Sequence, residues 1–158
     1  PEGRDIVRSV NAASSTLHGL EAGLYASLGD RLSMTAAVSY TRGEQRVGPT
    51  EEPADRVPPL QARLALDFDQ SATWSFSTWL VGAGRQERLS ARDIRDVRID
   101  PTGTAGWLVM GASATRTSAN GWQLVARIDN VLDQRYRVHG SGLDAPGRNV
   151  SVTVRRTW

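Results

Sequence analysis

The twelve residues Leu17-His18-Gly19-Leu20-Glu21-Ala22-Gly23-Leu24-Tyr25-Ala26-Ser27-Leu28 decide how the rest of the chain is read. From Leu20 onward the even positions hold Leu20, Ala22, Leu24, Ala26 and Leu28, while Gly19, Glu21, Gly23 and Ser27 stand at odd ones. Successive side chains of a strand point to opposite faces, so this alternation predicts a β-strand with one apolar face. After the turn Gly29-Asp30-Arg31 the pattern resumes, with Leu32, Met34, Ala36, Val38 and Tyr40 against Ser33, Thr35, Ala37, Ser39 and Thr41. Two such strands joined by a short turn form a hairpin.

The same count extends along the chain. Leu60, Ala62, Leu64, Leu66 and Phe68 alternate with Gln61, Arg63, Ala65 and Asp67, and a polar turn follows near Asp69-Gln70-Ser71. The segment from Trp74 to about Arg88 is β-rich, but Trp74, Phe76 and Leu80 share one parity while Trp79 and Val81 share the other, which leaves its facing open. Leu108, Met110, Ala112 and Ala114 mark a fifth strand, and Ser118-Ala119-Asn120-Gly121 supplies a tight hairpin turn. Trp122, Leu124, Ala126 and Ile128 mark a sixth strand, and Val150, Val152, Val154 and Trp158 a seventh. In residues 4–11, Ile6, Arg8 and Val10 alternate with Asp5, Val7 and Ser9, either as a further strand or as an extension of the first.

Between these segments lie two kinds of connection. Residues 44–59 contain Gly48, Pro49, Pro53, Pro58 and Pro59 and the acids Glu51, Glu52 and Asp55, and read as a long loop. Residues 89–105 and 134–147 read likewise, and no segment of length carries helical apolar spacing. Long connections alternate strictly with short turns, as in outer-membrane barrels, and strands of roughly 10–12 residues match the ~9–11 needed to cross a bilayer at a tilt. The fold expected is all-β: an antiparallel up-and-down transmembrane β-barrel segment of about seven strands. Leu24, Val38, Leu64, Met110, Leu124, Ile128 and Val152 would face lipid. Bacterial single-chain barrels have even strand numbers, so seven strands point to a piece of a larger barrel.

Composition excludes several classes. The 158 residues are 39% hydrophobic and 23% charged, which is enough apolar content to argue against a disordered tail. Lys and Arg number 19 against 17 Asp and Glu, interspersed as in Arg92-Asp93-Ile94-Arg95-Asp96, so a nucleic-acid partner is not expected. Mean hydropathy is −0.38 and no apolar run is long enough for a membrane helix, but strands that alternate lipid-facing and lumen-facing residues keep the average low. With no cysteine, disulfides and thiolate sites are absent, and no nucleophile elbow, His-Glu-x-x-His or phosphate loop suggests an enzyme. Because the chain opens at Pro1 without a signal segment, any export signal is expected upstream.

Five motifs occur in order: Gly19-Leu20-Glu21, Tyr40-Thr41-Arg42-Gly43, Val57-Pro58-Pro59, Asp129-Asn130-Val131-Leu132-Asp133-Gln134-Arg135-Tyr136, and Pro146-Gly147-Arg148. In that combination the chain resembles the C-terminal part of a TonB-dependent outer-membrane receptor. Val131 stands where the family more often has Leu, Trp158 where most members end in Phe, and Arg156 breaks the apolar parity of the last strand. The resemblance implies a 22-stranded barrel, of which residues 1–158 are the C-terminal part and from which the plug domain and earlier strands are absent here. It further implies residence in the outer membrane of a Gram-negative bacterium, in contact with its lipid, and TonB-energised uptake of a ferric siderophore or other metal chelate. The TonB complex would act through the missing N-terminal region. The β-barrel assembly machinery would read the C-terminal strand at Val150, Val152, Val154 and Trp158. No cofactor is implied. The rival reading is a small structural or adhesive eight-stranded barrel that binds partners through its loops, and a more distant one is a soluble β-sandwich.

Candidate contacts with a ligand concentrate in the second long loop, where Arg92, Asp93, Arg95, Asp96, Arg98 and Asp100 offer donors for an anionic chelate or hard oxygens for Ca²⁺. The same alternation of sign equally suits a solvated, self-compensating loop. His139 in the last loop resembles a family histidine and is a further candidate; His18 and His139 lack the spacing of a zinc site, and no metal is expected. Asn130, Asp133 and Tyr136, with Pro146, Gly147 and Arg148, are expected to finish one strand and anchor the loop above it by side-chain-to-backbone bonds. Glu21, Arg63, Asp67, Arg127, Asp129 and Arg155 fall on the lumen parity and are expected to form charge networks around a plug.

Overall fold

The computed structural model describes residues 14–157. The possible strand in residues 4–11 and the terminal Trp158 lie outside them. The alternating segments form β1 (Ser14–Ser27), β2 (Leu32–Val47), β4 (Gln61–Asp69), β5 (Trp74–Ala83), β6 (Trp107–Thr117), β7 (Trp122–Asp129) and β8 (Asn149–Arg156). These seven pair antiparallel in chain order, and a short β3 (Thr50–Pro53) pairs with the end of β2 to complete an eight-stranded sheet. Short turns join strands at one edge, and the three long connections stand at the other. Among the described residues β1 and β8 are the free edges, and the sheet is not closed.

Register shows how the faces are built. One row across the sheet reads Leu24, Ala36, Leu64, Leu80 and Met110; another reads Met34, Leu66, Thr78, Ala112, Ile128 and Val150. The adjoining odd rows read Gly23, Ala37, Arg63, Val81 and Val109, and then Tyr25, Thr35, Ala65, Trp79 and Gly111. Pairing thereby settles the facing of β5: Trp74, Phe76 and Leu80 stand on the apolar face and Trp79 and Val81 on the polar one. Thr78, a hydroxyl within the apolar rows, donates to the Gly111 carbonyl at 3.1 Å and so keeps no unmet donor on that face. From Leu32 to Tyr40 the apolar face of β2 covers eight residue steps, which at ~3.3 Å each and a ~45° tilt is roughly 20 Å of height, close to the ~25 Å lipid-facing band of such barrels.

Three expectations are corrected. Residues 44–59 are not all loop: β2 continues to Val47, and the chain turns at Gly48, whose φ of 61° suits glycine, before β3 pairs back through Val47↔Thr50 and Glu44↔Pro53. Pro49 lies in the turn and Pro53 at the strand end, where neither interrupts the ladder. The second long connection contains a one-turn helix, α1 (Ala91–Arg95), too short to show apolar periodicity. The β-rich segment expected to reach Arg88 ends as a strand at Ala83.

Exposure is high along the strands, with Leu20 at 68% and Val152 at 64%. The buried apolar residues Ala54, Val57 and Ile99, and the buried polar ones Gln86, Ser90, Asp93 and Asn130, all lie in the long connections. These fold over the upper end of the polar face: a Cβ at Gly43 would come within 2.8 Å of Ala54 and 3.0 Å of Val57.

Candidate functional site

On the polar face, side chains from four strands meet around two tryptophans. Gly111 leaves room for the Trp79 indole against β6, since a Cβ there would clash with the ring atoms Cε2, Cζ2 and Nε1. The Arg127 guanidinium covers that ring at 4.3 Å from its centroid, within cation–π distance, and holds Asp129 with two bonds of 2.8 and 2.7 Å. Above them Trp107 and Tyr136 meet with centroids 4.3 Å apart. Arg63 reaches into the same groove, beside Trp79, Val81, Trp107 and Tyr136, and has no hydrogen-bonding or ionic partner among the described residues. Asp67 accepts a hydroxyl bond from Ser77. The expected lumen charges therefore stand on one face, but only Arg127 and Asp129 pair directly. The aromatic pair Trp107–Tyr136 was not legible from spacing, because Tyr136 arrives from a loop 29 positions further along.

The loop cap is held by polar contacts between distant segments. Ser90 and Asp93 form a capping box at the start of α1, with the Asp93 N–H donating to Ser90 Oγ at 3.0 Å and the Ser90 N–H to Asp93 Oδ2 at 3.2 Å. The same buried carboxylate accepts the Arg56 backbone N–H, 3.2 Å from both oxygens, from the first loop. Asp96 then receives both Arg56 (2.7 Å) and Arg98. Arg92 bonds Asp55 at 3.2 Å, and Arg95 Nε donates to the Ala91 carbonyl at 3.1 Å. Gln86 Nε2 donates to the Val57 carbonyl at 2.8 Å, and Arg88 pairs with Glu44 at 2.6 Å.

Electrostatics follow from these partners. Burial penalises ionised Asp55, yet hydrogen bonds from Ser90, Gln45 and Arg92 outweigh it and hold its carboxyl below the usual range. Asp100 is lowered by the hydroxyl and backbone N–H of Thr102. His139 joins the last loop to the second through Nδ1 and Thr104 Oγ1, 2.8 Å apart, while its buried Nε2 has no partner among the described residues. Burial pushes its pKa down, the Asp93 charge opposes this, and Arg56 reinforces it.

The sequence candidates thus divide in two. Asp93 lies inside the cap, whereas Arg92, Arg95 and Arg98 are exposed but already engaged by Asp55, the Ala91 carbonyl and Asp96. Asn130 is buried, with φ 49°; its Nδ2 donates to the carbonyls of Gln134 (2.9 Å) and Pro146 (3.2 Å), and its Oδ1 accepts from the Gln134 N–H. Asp133, with φ 54°, accepts the Arg148 N–H at 2.8 Å, and a Cβ at Gly147 would fall 2.7 Å from its Oδ1. These contacts tie the end of β7 to the start of β8. Val150, Val152 and Val154 line the apolar face of β8, itself a free edge. Among the described residues no three His, Asp or Glu side chains gather where a metal ion would fit.

An antiparallel wall with a charge-free apolar belt on one face, polar side chains on the other and long loops gathered at one edge is a segment of a transmembrane β-barrel. Residues 2–131 match the family described as TonB dependent receptor-like, beta-barrel, and the chain belongs to that family. Among solved structures it is similar to the copper transporter OprC, with a TM-score of 0.76 and 22% identity over 89% of this chain and 23% of that one. It is also similar to the siderophore receptor PiuA from Acinetobacter baumannii, with a TM-score of 0.64 and 19% identity over 89% of this chain and 21% of that one. The chain therefore spans less than a quarter of the length of either. No curated protein matches it.

Proposed function

We propose that this chain forms the C-terminal part of the barrel of a TonB-energised outer-membrane receptor, completed by further strands and a plug, that imports a scarce metal chelate. The observation that carries the reading is the pairing of an open wall, whose two faces suit lipid and a wet lumen, with a loop cap built over its upper end. A copper transporter and a siderophore receptor among its structural relatives support a metal-bearing cargo. An anionic chelate finds its readiest contacts on the polar face, at Arg63, unpaired among the described residues, beside Trp107 and Tyr136. Arg92 and Arg98 in the loop would have to exchange existing carboxylate partners to reach it. The C-terminal strand, with Val150, Val152, Val154 and Trp158, would be read by the assembly machinery during insertion. The deciding experiment measures uptake of isotope-labelled ferric and cupric chelates by cells carrying the full-length receptor, with and without TonB. Uptake that requires both receptor and TonB is expected; uptake indifferent to TonB for every chelate would sink the reading.

A further inference from the structure

The charged side chains on the polar face of the wall are mostly accounted for. Arg127 and Asp129 hold each other, Asp67 accepts from Ser77, and Asp69 and Arg155 lie near the short-turn edge. Glu21 of β1 and Arg63 of β4 remain, each without a hydrogen-bonding or ionic partner among the described residues. Both line one open cavity of about 640 Å³, together with Ser39, Gln61, Trp107 and Val138. They are separated by two strands and two residues, which at ~4.8 Å per strand and ~3.4 Å per residue puts their Cα atoms roughly 12 Å apart. Toward β1 the row of Arg63 holds only Ala37 and Gly23, so no bulky side chain stands between the two charges. Trp107 and Val138 wall the cavity on the side of the loop cap; Val138 belongs to the third long connection, which also brings Tyr136 to Trp107 and His139 to Thr104.

A cavity of this size falls in the range of small-molecule sites, and its two charges dictate what it takes. An anionic guest that reaches Arg63 also meets the Glu21 carboxylate, and a cationic guest at Glu21 also meets the guanidinium. Either one sets like charges side by side, which lowers affinity and excludes such guests. A guest that carries an acid group and an ammonium some distance apart satisfies both and brings no net charge into the groove. Arg63 offers a planar fork that matches carboxylate oxygens, and Glu21 accepts from an ammonium. Ser39 and Gln61 supply uncharged polar groups beside the span between them.

We propose that Glu21 and Arg63 together select a zwitterionic metal chelate, whose acid oxygens meet Arg63 and whose ammonium meets Glu21. This deepens, and rests on, the reading of the chain as part of a chelate receptor. The probes are two cupric complexes of bis(carboxymethyl)lysine, one with its side-chain amine free and one with it acetylated, titrated calorimetrically into the purified full-length receptor without TonB. The wild type should bind the free-amine complex about tenfold more tightly, the lower end of what a charge-assisted hydrogen bond supplies. Glu21→Gln should bind both complexes alike, whereas Arg63→Gln should weaken both by a similar factor and keep the preference. Equal affinity of the wild type for the two complexes, or binding of neither, overturns the proposal. So does a Glu21→Gln variant that keeps the preference, including one in which the plug becomes sensitive to protease, since the pair would then hold the plug. The wild-type selectivity decides the matter even where a variant fails to fold. TonB-dependent uptake without selectivity between the complexes sinks this proposal alone; uptake indifferent to TonB for every chelate sinks the receptor reading and this proposal with it.

Discussion

The strand wall and the loop cap solve the problem of burial in opposite ways. Along β2 and β8 large apolar side chains remain exposed within the chain, as the proposed membrane reading expects of a face turned to lipid, while the cap encloses Ala54, Val57 and Ile99 together with Ser90, Asp93 and Asn130. The wall therefore needs only the right class of side chain at each parity, whereas the cap needs particular partners at particular distances. A wall position tolerates change within its class; a cap position such as Asp93 does not, because backbone donors of Arg56 and Ser90 depend on it.

The contrast can be broken most sharply in the wall. Leu64→Arg, in the middle row of the belt, should destabilise the full-length barrel by ~2–4 kcal/mol. Ala65→Arg on the other face should change it by less than about 0.5 kcal/mol if that face meets water. Urea-dependent folding into lipid measures both, and equal costs would mean that the two faces are misassigned.

In the cap, Asp93→Ala strips the acceptor from buried donors and should cost ~2–3 kcal/mol locally. Hydrogen exchange in residues 54–57 and 90–96 should accelerate while the strands stay protected. Protection unchanged in both loops would show that the capping box is dispensable. Gly111→Ala tests where the polar face does demand specificity. Displacing the Trp79 indole and the Arg127 above it should cost ~1–2 kcal/mol, the lower part of the range for overpacking, and alter Trp fluorescence.

A smaller effect is expected from pH. Burial depresses the pKa of His139 in the folded cap, so the neutral ring's contribution is present above the unfolded value and fades as pH falls through the folded one. Exchange in residues 134–148, corrected for its intrinsic pH dependence, should rise on going from pH 7 to 5, and His139→Gln should flatten that rise. The smallest effect should come from replacing Arg92, Arg95 and Arg98 together by Gln, within about 0.5 kcal/mol per site for stability. A tenfold loss of chelate binding in that variant would place the ligand on the loop instead of the polar face.

Much of the wall was legible in the sequence because two solvents impose two chemistries on alternate residues, a signal that repeats every second position. It failed in β5, where Trp74 and Trp79 put the same residue type on both faces and only pairing with Leu64 and Met110 resolves them. The β2–β3 hairpin was hidden because Pro49 precedes and Pro53 ends a strand of only four residues. For α1 the one local clue was Ser90-Ala91-Arg92-Asp93, a capping-box spacing with no apolar run behind it. Arg56 with Asp93, and Thr104 with His139, are pairs 37 and 35 positions apart, and no periodicity reports such meetings.

In the wall, each strand pairs only with its neighbours along the chain, β3 aside. Each pairing therefore closes only the loop between adjacent wall strands, and lengthening such a loop adds little entropy cost. Such a surface can grow hairpin by hairpin without waiting for remote segments to find one another, and the parity code proofreads it, since a slip of one residue would turn Arg63 toward lipid and Leu64 toward water. In the proposed membrane wall the costly event is left to the seam, where the N–H and C=O groups along the sides of β1 and β8 that are unpaired among the described residues must find partners before lipid surrounds them.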